Sequence, residues 1–217
     1  MRYPAVLLLM IGFALVVSAP AQAQYYGEYS KWEVAPFVGY ETGGSYPINS
    51  SLTVDRLRIN SGLSYGSFVD YSLTENTQAE FMWSQNNTSF SAHDVTTNTY
   101  SKAFNSTFDQ FMFGFSYMIR NSERKLRPFI DAGLGFAHES NNNGEPNHTL
   151  FAFALGGGAK YELTKHFALR GDVRYMPSRA NRTPQTFCDP FFGCYTQNTP
   201  NYLQRVNLTA GIAFRFK

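Results

Sequence analysis

After its first two dozen residues, the sequence has no apolar run of about 18 residues, so no helical membrane span is encoded there. Charge is sparse, at 16% of residues, and nearly balanced: 18 Lys and Arg face 16 Asp and Glu. Such a balance lacks the basic stripe of a nucleic-acid binder, and no nucleic-acid partner is expected. Histidine is scarce. His93, His138, His148 and His166 are scattered and show no H-x-x-x-H spacing, so neither a metal site nor a catalytic one is expected. Ser and Thr are plentiful, but none sits in a recognised nucleophile motif, which needs a base and an orienting group in reach. Gly133-Leu134-Gly135 and Gly156-Gly157-Gly158 lie inside extended stretches and open no helix. They are read as space for bulky neighbours, not as phosphate loops. The expectation is a protein that is not an enzyme and takes no cofactor.

Only two cysteines occur, Cys188 and Cys194, bracketing Asp189-Pro190-Phe191-Phe192-Gly193. In an exported chain a pair this close most simply forms a disulfide; a metal-binding or reactive-thiol pair is the other reading. Export is itself legible. Arg2 supplies a positive start, Ala5 to Val17 an apolar stretch, and Ala21-Gln22-Ala23 a small-residue cleavage site. Residues 1–23 therefore read as a secretory signal peptide, the alternative being a short uncleaved anchor. Residues 24–31 form a tyrosine-bearing lead-in, and 32–217 the main domain.

Aromatics are abundant, at 17% of residues, and they alternate. In the last stretch Val206, Leu208, Ala210, Ile212, Phe214 and Phe216 share one face. Arg205, Asn207, Thr209, Gly211, Ala213 and Arg215 share the other. A period of two is a β-strand. With an export signal in front, bulk on one face and small or charged residues on the other read as lipid outside and a narrow lumen inside. The same pattern recurs over Trp32–Tyr40, Arg56–Val69, Thr77–Gln85, Thr107–Ile119, Pro128–Ala137, Phe151–Glu162 and Phe167–Tyr175. Phe111, Phe113, Phe115, Tyr117 and Ile119 make the strongest outward row. Trp32 and Tyr40 stand at opposite ends of the first strand, as two membrane interfaces favour. The connections alternate long and short. The long ones are 41–54, 86–103, 140–148 and 176–201. The fold class expected is all-β: an eight-stranded antiparallel up-and-down transmembrane β-barrel with short periplasmic turns and long outer loops.

By this register the lumen holds Glu33, Glu80, Asp131, Glu162 and Asp172 with Arg56, Arg58, Lys160, Arg170, Arg174, Arg205 and Arg215. Eight strands leave room for little but side chains, so these charges must pair in a plugging network. The alternative is a narrow gated ion path. The outer loops carry the aromatics Tyr46, Phe90, Tyr100, Phe191, Phe192 and Tyr195, candidate anchors of an interface.

Arg127-Pro128-Phe129-Ile130-Asp131-Ala132-Gly133-Leu134-Gly135 is similar to a strand of the small outer-membrane β-barrels. Leu155 to Tyr175, with Gly156-Gly157-Gly158-Ala159-Lys160-Tyr161, is similar to the next pair of strands. The mature chain as a whole resembles the OmpA/OmpX-type eight-stranded barrels, without a peptidoglycan-binding domain. The resemblance implies residence in the outer-membrane lipid of a Gram-negative bacterium. It also implies insertion by the barrel assembly machinery, which reads a terminal aromatic; Phe214 and Phe216 stand there, with Lys217 after them. The expected role is structural or surface-binding, for a monomer whose outer loops meet an extracellular ligand or surface. A narrow channel is the alternative, and a lipid-modifying barrel enzyme a distant one.

Overall fold

The structure, a computed structural model, describes residues 31–47, 54–119, 125–141, 147–179, 185–189, 193–197 and 202–216. The stretch read as a signal peptide, most of the expected lead-in, Phe191, Phe192 and Lys217 lie outside them. In chain order the strands are β1 (Trp32–Thr42), β2 (Ser45–Pro47), β3 (Val54–Ile59), β4 (Gly62–Ser72), β5 (Thr77–Asp94), β6 (Thr99–Met118) and β7 (Leu126–Asn141). There follow β8 (His148–Glu162), β9 (Phe167–Tyr175), β10 (Ser178–Arg179), β11 (Gln185–Asp189), β12 (Gly193–Gln197), β13 (Tyr202–Leu203) and β14 (Val206–Phe216).

Eight of these close a ring. β1 pairs β4, then β5, β6, β7, β8, β9 and β14 follow, and β14 returns to β1, every pairing antiparallel. The seam is made by the first and last strands of the ring, with Trp32 opposite Phe216 and Tyr40 opposite Leu208. A closed ring satisfies every strand edge, which is the condition for crossing a bilayer with strands. The alternation is as the sequence implies. Val38, Phe113 and Leu155 are 68%, 61% and 61% exposed, whereas Ala35, Phe68, Ala168 and Ala213 are fully enclosed. An exterior this apolar matches lipid, not water.

Two expectations are corrected. The stretch 56–69 is not one strand. It breaks at Asn60 and Ser61, and the facing flips: Leu63 is exposed, yet Ile59 is 2% exposed. Asn60 is the cause. Its N–H bonds the Ser89 carbonyl at 2.9 Å, and its Nδ2 donates to the hydroxyls of Ser89 and Ser91. β3 is thereby held against β5, outside the ring. Secondly, 86–103 is not a loop. β5 and β6 run on as a ladder to Asp94 and Thr99, and the chain reverses at 95–98. There Asn98 adopts φ 50°, a left-handed conformation that Asn tolerates, and Asp94 Oδ1 accepts from the Thr96 N–H at 2.8 Å. On the outward face Asn87 and Ser89 stand where the membrane part of the strand has apolar residues, while Asn86 and Thr88 are buried inside, so the apolar alternation fades while the strand continues.

The ring is therefore lopsided. β6 has 20 residues and β9 has 9. At about 3.4 Å per residue, the excess of β5 (18 residues) and β6 over β9 is roughly 30–37 Å, measured along the strand. β2 and β3 extend this projection on one side. β10 and β13 continue it beyond β8 on the other. The hairpin of β11 and β12 stands apart as a sheet of its own.

Candidate functional site

Two regions carry the chemistry: the lumen and the outer face of the projection. In the lumen the inward positions of successive strands bring acid and base together. Lys160, from β8, donates to Asp70 Oδ2 and Gln78 Oε1, each at 2.8 Å, and to Glu33. Arg170 reaches three carboxylates: Asp70 at 2.9 Å, Glu80 at 2.5 Å and Asp172 at 3.1 Å. Arg174 donates to Glu80 Oε1 at 2.6 Å and stands 3.4 Å from both Asp131 and Asp172. The Phe68 ring underlies both guanidinium groups, at 3.8 Å from that of Arg170 and 4.6 Å from that of Arg174. At the short-turn end, Arg215 bonds Glu33 at 2.7 Å and Glu162 at 2.9 Å, and Arg127 joins Glu162.

A second cluster lies nearer the outside. Arg205 Nη1 is 3.0 Å from Glu41 Oε1, its Nη2 donates to Ser178 Oγ, and Gln110 Nε2 donates to Glu41 Oε2 at 2.9 Å. Arg205 also stacks over Phe108, at 4.6 Å. Beyond it Ile59, Phe90, Ala92, Phe104, Phe108, Leu150 and Leu203 form an apolar cluster. Among the described residues, the interior thus holds paired charges and apolar side chains. Charge is placed where each ion meets a counter-ion, which offsets the desolvation that an isolated buried ion would suffer.

Ten of the twelve lumen charges expected from the sequence lie inside or at the inner mouth. Arg56 and Arg58 do not: both are exposed, on the outward face of β3, because the break at Asn60 flips that face. Two lumen charges were missed, Glu41 and Asp70, both buried; Gln110 and Asn207 are buried on the faces that alternation turns inward. The signal for Glu41 and Asp70 was present. Each continues its strand's inward parity past the point where the strand was expected to end.

Among the loop aromatics, Tyr100 is 45% exposed. Phe90 is corrected: it is 5% exposed and stacks on Phe104 at 4.6 Å, since the strand's alternation turns it inward. Tyr46 is the ladder partner of Leu57, and Tyr195 that of Phe187. Cys188 and Cys194 are opposite each other in the β11–β12 ladder. Phe214 and Phe216 are 40% and 47% exposed on the outward face of β14. Among the described residues no group of three or more His, Cys, Asp or Glu is placed to hold a metal ion.

A closed antiparallel ring with an apolar exterior and an ion-paired interior defines a transmembrane β-barrel. The chain belongs to the outer membrane protein beta-barrel domain family, whose pattern matches residues 9–216. Its place is the bacterial outer membrane. The fold is similar to that of OprG from Pseudomonas aeruginosa, with a TM-score of 0.60 at 11% identity, covering 87% of this chain and 97% of that one. It is likewise similar to Neisserial surface protein A, with a TM-score of 0.57 at 15% identity, covering 88% and 100%. AlkL in lipid bilayers gives 0.52 at 14% identity, covering 92% and 97%. No curated protein matches.

Proposed function

We propose that the protein is a closed, non-enzymatic barrel that presents a binding surface outside the cell. The observation that carries this is the lopsided wall: β5 and β6, with 18 and 20 residues, continue far past the 9 of β9. A membrane crossing needs only about 9–11 residues per strand. The additional length is rigid, ladder-bonded sheet outside the lipid, and scaffolded outer segments are where binding residues are usually placed. The packed lumen supports a closed barrel over a channel. Its Asp, Glu, Arg and Lys side chains bond one another, which leaves them poorly placed for the acid–base work of an enzyme.

The chain is exported by residues 1–23, inserted by the assembly machinery through Phe214 and Phe216, and works as a monomer. The pairing of Cys188 with Cys194 supports a disulfide that stiffens the β11–β12 hairpin. Replacing residues 91–102 by an Asn-Gly turn tests the main reading. The barrel should still insert, seen as heat-modifiable mobility, while attachment of cells displaying it to glycan and protein surfaces falls to background. Unchanged attachment would remove the projection from the function.

A further inference from the structure

Two of the short turns are built alike. Tyr71-Ser72-Leu73-Thr74 is repeated as Tyr161-Glu162-Leu163-Thr164. In the first, the N–H groups of Leu73 and Thr74 donate to the Thr77 carbonyl, at 3.0 and 3.1 Å, and Thr74 Oγ1 accepts from the N–H groups of Asn76 and Thr77. In the second, Leu163 and Thr164 donate to the Phe167 carbonyl, both at 3.0 Å, and Thr164 Oγ1 accepts from His166 and Phe167. The strands they join share a register as well. Asp70 is the ladder partner of Glu80 across β4 and β5, as Lys160 is of Arg170 across β8 and β9. These hairpins are the second and third strands of the ring and the sixth and seventh, so they face each other across the lumen.

Their inward charges are opposite in sign. Glu33, Asp70 and Glu80 are successive ladder partners on β1, β4 and β5, and Arg127, Lys160 and Arg170 are successive ladder partners on β7, β8 and β9. Each row runs on into a glycine, Gly114 or Gly211. Glu33, Asp70, Glu80, Lys160 and Arg170 are buried. Within a row the neighbours carry the same sign, which destabilises a sheet, and burial strengthens the repulsion. Relief at the centre comes from the other wall. Asp70 and Glu80 form their ion pairs with Lys160, Arg170 and Arg174, all on the basic side, and Lys160 forms its own with Glu33 and Asp70. Local partners help at the row ends, where Arg170 also meets Asp172, Arg127 meets Glu162 and Glu33 meets Arg215.

We propose that the two rows are a closure lock: the acidic wall and the basic wall of one chain recognise each other, and the sheet is stable only once the ring shuts. An open sheet keeps like charges side by side with no facing wall. A sheet in which equal walls of two chains meet doubles that repulsion. The closed ring of a single chain is the arrangement that sets each row against its opposite.

The test is urea unfolding of the full mature barrel in lipid vesicles, with sheet content followed by circular dichroism and the closed ring by heat-modifiable mobility. In the unaltered protein the two curves should coincide. Asp70→Lys with Lys160→Asp keeps every charge in the lumen but places a base between Glu33 and Glu80 and an acid between Arg127 and Arg170. Each wall then carries its own relief, and the closed form should be lost about 1 M urea before the sheet. Asp70→Asn, which only thins the acidic row, should separate the curves less. Glu41→Arg with Arg205→Glu is the control. Glu41 has Asn207 and Gly62 as ladder partners, so no like charge flanks it, and this exchange should leave the curves together whatever it costs in stability. The Asp70 and Lys160 exchange decides where it forms sheet; where it forms none, Asp70→Asn decides. Coincident curves in the deciding variant overturn the proposal and leave the rows as ordinary ion pairs. Separated curves in the unaltered protein overturn it as well, and so does equal separation in the control, since any disturbed pair would then open the ring early.

Discussion

Arg205 Nη1 lies 3.0 Å from Glu41 Oε1, a buried ion pair that latches the outer end of β1 to the start of β14, at the seam where the ring closes. Each partner has one further neutral bond, Arg205 to Ser178 and Glu41 to Gln110. Arg205→Met should therefore leave a carboxylate enclosed and under-compensated, at a cost of about 3–5 kcal/mol. Glu41→Leu combined with Arg205→Met should cost less than either single change. Urea titration of the barrel in lipid vesicles measures all three. Strictly additive losses would mean the pair is not coupled.

That pair also marks where the sequence was legible. Alternation carried the reading through the membrane, because lipid on one side and a lumen on the other force a period of two. It found β6 from five outward apolar residues, and it placed Arg170 and Asp172 inside. Glu41 was lost because the strand was ended at Tyr40, where a glycine-rich polar stretch begins. Arg58 was misplaced because a side-chain clamp by Asn60 onto β5 reverses the facing, and a contact between residues about 30 apart leaves no local trace. The β5–β6 extension was hidden for another reason. Once both faces meet polar surroundings, as at Asn87 and Thr88, strand and loop have the same composition.

Phe113, 61% exposed midway along the outward row of β6, faces the hydrocarbon. Phe113→Arg should cost about 2–4 kcal/mol of folding free energy in bilayers. The same change at Tyr100, on the projection and in water, should cost far less. Equal losses at the two sites would contradict the placement of the membrane.

A Cβ built at Gly66 would stand 2.0 Å from the Trp83 carbonyl oxygen and 2.8 Å from the Phe37 ring, whereas at Gly171 its nearest neighbour is 3.8 Å away. Gly66→Ala should therefore lower stability by about 1–3 kcal/mol, as overpacking does, and Gly171→Ala should be tolerated. Unfolding midpoints of the two variants compare them directly.

Asp94, at the tip of the projection, is held below the usual carboxylate range, chiefly by the backbone N–H of Thr96 and with help from that of Thr97. A depressed folded-state pKa means the turn is stabilised above the unfolded value of 3.8 and loses that contribution as pH falls through the folded value. The Thr96 amide resonance should titrate with a midpoint below 3.8 and become pH-independent in Asp94→Asn. A midpoint above 3.8 would mean that the turn does not favour the charged form.

The proposed closed lumen makes its own electrical prediction. Arg170 spans the interior between Asp70, Glu80 and Asp172, with the rings of Phe68 and Phe129 against its guanidinium at 3.8 and 5.0 Å. An ion path needs that side chain to leave. Breaking even one buried pair costs about 3–5 kcal/mol, which holds an opened state below about 1% of molecules. Arg170 has three such partners, and Arg174 fills the same layer. Barrels checked for folding by heat-modifiable mobility should therefore give no stable conductance step in a planar bilayer. Phe68→Ala should not create one, since it widens the layer without freeing either arginine. A reproducible step in the unaltered protein would show that ions pass the Arg170 layer, and the closed barrel would then give way to a narrow channel.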